Sequence, residues 1–329
     1  MKSAFALLER AEALRGRGYL EKSARVYQNI LALGSQAPPQ TRLQGDLGLA
    51  AVQRSLGNLD AARRALRRGA SLAARLGARE EMEAFELERA MLLRARGRLK
   101  EAVRGLMRFT ALFRGRGDWG GVGFVLWAVA GARRFMGELS ASERDFNASL
   151  EAFRRARDPV GRRYALLGLA GLARIRGNPR RSLGIYAEAL RQARNSNGGE
   201  DLFSVAYSHC GMGNALRQLG RLKEARARYL VSRRLYRKIG DEVDAAYVDW
   251  GLGLVETRLG LLGRAEKSFN AALRAFRIRR ESRGVALSQS GMASVHYLRG
   301  KKGRAKVLFQ ASLETARLAG LWAPLEIFA

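Results

Sequence analysis

The sequence predicts an all-α solenoid of about eight helical hairpins, and three observations carry that prediction. Glycine recurs roughly every forty residues, at Gly18, Gly57, Gly97, Gly137, Gly177, Gly220, Gly260 and Gly300. Seven residues before each stands a small side chain: Ala11, Ala50, Ala90, Ala130, Ala170, Gly213, Gly253 and Ala293. Five after it stands another, at Ser23, Ala62, Ala102, Ser142, Ser182, Ala225, Ala265 and Ala305. Nine after it comes a large apolar one, at Tyr27, Leu66, Leu106, Phe146, Tyr186, Tyr229, Phe269 and Phe309. Only five prolines interrupt 329 residues and 47% of the chain is apolar, so long helices and a continuous core are both affordable.

Each element follows from this ladder. The repeats run at about 1–37, 38–77, 78–117, 118–157, 158–200, 201–240, 241–280 and 281–320, leaving an apolar tail at 321–329. The ladder glycine is the turn inside a hairpin. A second mark twenty residues later (Gly77, Gly117, Asn197, Gly240, Gly320) ends the second helix, because Gly and Asn tolerate the left-handed conformation there. Asp158 and Asp241 follow that mark as N-caps. Two repeats depart from the frame. In the first, the second helix stops early at Gly34, ahead of Ala37-Pro38-Pro39. The fifth carries three extra residues near Asn195 to Gly199, read as a longer surface loop. Small columns let helices approach, and the large column fills the notch on the facing helix.

The pattern resembles the tetratricopeptide repeat in its forty-residue form, over about residues 4 to 320. Ala206 to Asp241 (AYSHCGMGNALRQLGRLKEARARYLVSRRLYRKIGD) is the best match, and is similar to repeats of Pins/LGN polarity adaptors, kinesin light chain and bacterial regulators. The resemblance implies hairpins wound into a right-handed superhelix. It also implies a protein that binds partners on a concave face lined by the first helix of each hairpin. It says little about which partner.

Charge narrows the partner. Lys and Arg number 60 against 30 Asp and Glu, for a net charge of +30, and arginine dominates. An anionic partner is one reading: an acidic peptide, nucleic acid or anionic lipid. The other is a compositional habit, since the arginines are spread along the chain and form no block. One cysteine, Cys210, excludes an internal disulfide and CxxC metal sites. The start (MKSAFALLER) is too short for a signal-peptide core, and no run approaches the ~18 apolar residues of a membrane span, so a cytoplasmic location is expected.

Catalytic chemistry finds little support. His209 and His296 occupy non-equivalent positions, and His209 points about 100° away from its neighbour Cys210 on a helix. The acidic run Glu80-Glu81-Glu83-Glu86-Glu88 begins a helix and matches its dipole. Trp119-Gly120-Gly121-Val122-Gly123 has no preceding strand and no Lys-Ser/Thr end, so it is no phosphate loop. No catalytic residue, cofactor or metal is expected.

Counting back thirteen, ten, six and three residues from the turn glycine gives the groove-facing positions. They assign Phe124, Trp127 and Arg134 in repeat four, Tyr164 and Arg174 in repeat five, Tyr207, Cys210, Asn214 and Arg217 in repeat six, and Tyr247 and Trp250 in repeat seven. Trp127 and Trp250 are the expected exposed anchors. By the resemblance, Asn214 matches an asparagine that family members aim at a bound peptide backbone. The arginine row (Arg15, Arg54, Arg94, Arg134, Arg174, Arg217) has two readings, ligand binding and helix capping. Second helices show the same habit at Arg114, Arg154, Arg194, Arg237, Arg277 and Arg317. The aromatic stripe is open to the same doubt, since Phe124, Tyr164, Tyr207 and Tyr247 would also serve as packing between first helices.

The expected function is a scaffold or adaptor holding a protein segment, acidic in character. The alternatives are a nucleic-acid or polyanion binder and a peptide-sensing regulator. A basic column on the second helices (Arg25, Arg64, Arg104, Arg144, Lys267) would suit a polyanion. The apolar tail is expected either to cover the last hairpin or to mediate self-association.

Overall fold

The structure, a computed structural model, describes residues 4–195 and 201–319. Among these there are sixteen α-helices and no strand. They are α1 (Ala4–Gly16), α2 (Leu20–Ala32), α3 (Pro39–Ser55), α4 (Leu59–Leu76), α5 (Arg79–Ala95), α6 (Leu99–Gly115), α7 (Trp119–Phe135) and α8 (Leu139–Arg155). Then follow α9 (Pro159–Ile175), α10 (Pro179–Arg194), α11 (Leu202–Gln218), α12 (Leu222–Ile239), α13 (Glu242–Arg258), α14 (Leu262–Ile278), α15 (Ser282–Leu298) and α16 (Lys302–Leu318). The result is an all-α solenoid. The chain divides into two compact units, Met1–Gly168 and Leu169–Ala329, the division falling within α9.

The turns are built as the ladder requires. All eight ladder glycines sit at positive φ, between 72° and 79°. A Cβ on Gly97, Gly137, Gly177, Gly220, Gly260 or Gly300 would meet no neighbour, so the need there is for backbone conformation and not for space. The second mark is also left-handed at Gly77, Gly117 and Gly240, but in two repeats an arginine occupies it: Arg157 and Arg280, each with φ of 53°. Side-chain caps open several first helices. Asp118 accepts from the Gly121 N–H at 2.8 Å, Asp158 from Gly161 at 2.9 Å, Asp201 from Ser204 at 3.0 Å and Asp241 from Asp244 at 2.9 Å. The early stop in repeat one is present as a short 3-10 turn, Gly34–Gln36, after which Pro39 opens α3. The expected loop at Ser196 to Gly199 and the tail at 321–329 lie outside the described residues.

Consecutive helices pack on one another from α1 to α8 in the first unit and from α10 to α16 in the second. First helices also touch first helices, α1 with α3 and α3 with α5, then α11 with α13 and α13 with α15. Each unit thus has a wall made of first helices. The small column is buried throughout, with Ala11, Ala50, Ala130 and Ala170 at zero exposure. Where that column is glycine the space is fully used: a Cβ on Gly213 would lie 2.7 Å from Tyr229, and one on Gly253 2.6 Å from Phe269.

A further column joins one hairpin to the next. Nine residues before the turn glycine stand Gly48, Gly168, Gly211, Gly251 and Gly291, and a Cβ on any of them would collide with an aromatic ring. The rings are Tyr27, Phe146, Tyr186, Tyr229 and Phe269, each the large residue of the preceding hairpin. Where that large residue is instead a leucine, Leu66 or Leu106, the facing position is Glu88 or Ala128. Aromatic wedges demand glycine seats, and leucine wedges do not.

Candidate functional site

In the first unit the first-helix wall carries an aromatic shelf. Phe124 and Trp127 are one turn apart on α7, with ring centroids 5.9 Å apart. Tyr164 on α9 meets Trp127 edge-on at 5.8 Å. All three are half-buried. The Arg94 guanidinium lies over the Trp127 ring at 5.1 Å and crosses the bare backbone of Gly131. Arg134 lies over Phe135 at 5.2 Å. Sequence spacing placed these residues on one wall, and the structure brings Phe124, Trp127 and Tyr164 into direct contact.

In the second unit the wall is more polar. The Tyr229 hydroxyl, from α12, donates to Asn214 Oδ1 at 2.7 Å, and the Asn214 amide points at Cys210 Sγ, 3.9 Å away. Arg217 lies over Trp250 at 5.9 Å and also bonds to Tyr229. Tyr247 packs edge-on against Phe276 at 4.7 Å and donates to Glu281 at 2.9 Å, with Arg283 over its ring at 5.3 Å. Tyr207 stacks on Phe203 and Tyr186.

Two expectations need correction. Trp250 is no exposed anchor: it is 2% exposed, and its indole N–H donates to the Leu287 carbonyl at 3.2 Å. Its column holds Leu47, Leu87 and Leu167 in other repeats, and the ring fills interior space between α13 and α15. Arg174 is 5% exposed, sunk toward Cys210 and Tyr229, and offers no surface to a partner. The arginine row as a whole divides. Arg54 is tied to Glu88, whereas Arg134 and Arg217 have no carboxylate partner among the described residues and rest on aromatic faces. Neither spends its guanidinium on its own helix end. The Arg217 carbonyl is instead capped by Arg258, at 2.8 Å. In the second helices the corresponding Arg154 and Arg317 pair with Glu151 and Glu314, one turn earlier.

Sequence reasoning missed Tyr229, Asp244, Glu281 and Arg283 as parts of this wall. Extending the three- and four-residue steps one turn further back, to sixteen and seventeen before the glycine, would have found Asp244 and Arg283. The N-cap position before α15 would have found Glu281.

Electrostatics argue against nucleophilic chemistry at Cys210. Burial, with Asp244 nearby, pushes its thiol up to about 12. Burial between Arg228 and Arg194 pulls His209 down to about 4. Tyr229 is raised to about 12, again by burial. Asp244, which accepts from Tyr236 and whose backbone N–H donates to the capping Asp241, is raised to about 6 by burial. Among the described residues no three His, Cys, Asp or Glu side chains are grouped to hold a metal. No described helix is long and apolar enough to cross a membrane.

Comparison with known proteins gives the same picture. Residues 162–238 match the tetratricopeptide repeat family. No curated protein sequence matches the chain. In fold it is similar to a Rap protein complexed with competence and sporulation factor, at TM-score 0.65 and 12% identity, covering 96% of this chain and 98% of that one. It is similar to NprR in complex with its cognate peptide NprX, at TM-score 0.63 and 16% identity, covering 97% and 90%. A third likeness is to BtubC (BKLC) from P. vanneervenii, at TM-score 0.52 and 17% identity, covering 72% and 94%. The same hairpin, turn glycine and small–large columns recur outside the segment that matches the tetratricopeptide repeat.

Proposed function

We propose that the chain is a binding protein whose first-helix walls hold a segment of another protein, and that this segment is acidic and carries apolar or aromatic side chains. The observation that carries the reading is the state of Arg134 and Arg217. These two half-buried guanidinium groups have no carboxylate partner among the described residues, and each lies over an aromatic ring. A guanidinium held on an aromatic face keeps its in-plane donors for a bidentate carboxylate. The shelf of Phe124, Trp127 and Tyr164 supplies area for an apolar side chain. Asn214 keeps its amide N–H groups with only a sulfur nearby, which suits a peptide carbonyl. The likeness to NprR with its cognate peptide supports a short peptide as one form the partner takes.

The test is a peptide array of 10–15-residue segments, comparing acidic aromatic-bearing sequences with their neutral and basic counterparts. Acidic sequences should bind best, and Arg134→Glu and Arg217→Glu should each weaken them. Equal binding of all three classes would remove the charge argument. Affinity for generic duplex DNA falling ~10³–10⁵-fold between 50 and 200 mM salt would favour a polyanion binder instead.

A further inference from the structure

The joint between α12 and α13 specifies what a covering helix must carry. Tyr229 wedges against Gly251, where a Cβ would lie 2.9 Å from its ring. On one side Arg226 pairs with Glu256 at 3.2 Å; on the other Arg233 and Arg237 reach Asp249 at 3.1 and 3.2 Å. The α13 segment thus reads Asp249-x-Gly251-x-x-x-x-Glu256: a seat for the ring, flanked by two carboxylates.

α16 repeats the donor half of that joint. In the repeat frame Phe309 stands where Tyr229 does, Lys306 where Arg226 does and Arg317 where Arg237 does. Elsewhere the wedge is buried, yet Phe309 is 50% exposed and Leu313, one turn on, is 56% exposed. Lys302 and Lys306 share this helical face and are exposed. An apolar strip of this kind, edged by cations of one sign, marks an association site.

We propose that this face of α16 docks an acidic amphipathic helix from another protein, with a glycine or alanine seated on Phe309 and a carboxylate placed for Lys306, Arg317 being already held by Glu314. The mode is helix-in-groove recognition by apolar anchors and flanking charge. A second copy of the chain does not fit through its first helix. The positions of α1 equivalent to Asp249, Gly251 and Glu256 are Leu7, Glu9 and Leu14, so a carboxylate would meet the ring and Lys306 would not be answered. The segment 321–329 carries one carboxylate, Glu326, and no glycine.

The probe is a synthetic, labelled peptide with the sequence of Asp241 to Leu259, titrated into the full chain by fluorescence anisotropy. One-to-one binding is expected, weakened at least tenfold by Phe309→Ala and by Lys306→Glu in the protein. Because Phe309 is half exposed, neither change endangers the fold, and circular dichroism checks this. The same peptide with Gly251→Leu keeps its charge and should lose at least tenfold. Equal binding of that peptide would show mere attraction to a cationic chain and overturn the proposal. So would binding that appears only after deletion of residues 321–329, which would make the chain's own tail the occupant. A dimer in sedimentation that Phe309→Ala dissolves would assign the face to a second copy, again overturning it.

Discussion

Hairpins three and six solve one packing problem in two ways. In hairpin three the wedge is Leu106 and the residue it meets on α7 is Ala128; in hairpin six the wedge is Tyr229 and it meets Gly251. The leucine joint keeps a Cβ on the receiving helix and so keeps helix propensity. The tyrosine joint gives up about 1 kcal/mol of propensity at the glycine and gains a larger buried ring. That ring's hydroxyl reaches through to Asn214 on the first-helix wall. The difference teaches that a core position can organise a surface: Tyr229 is fully buried, yet it sets the orientation of the amide that faces outward.

The comparison breaks most visibly by overfilling a seat. Gly211→Leu places a branched side chain where Tyr186 lies, and Gly213→Leu does the same against Tyr229. Each should cost ~1–3 kcal/mol or more, read as a lower midpoint in urea. An unchanged midpoint would mean the hairpins are not in this register. A finer probe is Gly251→Ala. In an open helix this change stabilises by about 1 kcal/mol; here the added Cβ sits 2.9 Å from Tyr229 and the sign should reverse. In a Tyr229→Leu background it should become stabilising again, giving a coupling energy of ~1–2 kcal/mol in a double-mutant cycle. No coupling would end the wedge-and-seat account.

The polar wall of hairpins six and seven adds a pH dependence that the leucine joint lacks. The coupled buried pair Asp241 and Asp244 is raised by burial, Asp244 from 3.8 to about 6 and Asp241 well above its usual value, so the fold binds the pair's protons more tightly than the unfolded chain does. The pair's cost is absent below pH 3.8 and grows as pH rises through about 6. His209 is depressed from 6.5 to about 4, so its contribution is intact above 6.5 and is lost as pH falls toward 4. Over this window the two trends oppose each other, each worth on the order of 1–3 kcal/mol. The unaltered chain should therefore show a shallow profile. Asp241→Asn combined with Asp244→Asn should leave a stability that drops toward acid, and His209→Gln one that rises toward acid. Parallel profiles for the two variants would contradict these assignments. The smallest effect belongs to the turns. Arg157→Gly and Arg280→Gly each relieve a left-handed arginine and should stabilise by ~1 kcal/mol, whereas Gly117→Arg should do the reverse.

How far the sequence could be read depends on what periodicity encodes. Spacing reports direction around a helix. That was enough for the hairpins, the turn glycines and the placing of Phe124, Trp127, Asn214 and Tyr247 on first helices. Depth is a different quantity. Trp250 shares its column with Leu167, which is buried, and with Leu47, Leu87 and Trp127, which are half-buried, so the column fixes direction without fixing depth. Arg174 and Arg217 occupy equivalent positions, but one is buried and the other half exposed. The glycines at the joints were in plain view, yet their meaning lay in a pairing between residues of successive hairpins. A scan of single columns does not reveal that.

The wedge-and-seat joints also bear on how such an array can be rearranged. A cut at the hairpin boundary separates a ring from its glycine, so hairpins are not interchangeable parts. Moving hairpin six in front of hairpin four would press Tyr229 onto Ala128, while moving hairpin three in front of hairpin seven would leave Leu106 over the empty seat of Gly251. The portable unit is offset by half a repeat, running from the second helix of one hairpin through the first helix of the next. Grafts that respect that offset should preserve solubility and cooperative melting, and grafts made at the turns between hairpins should not.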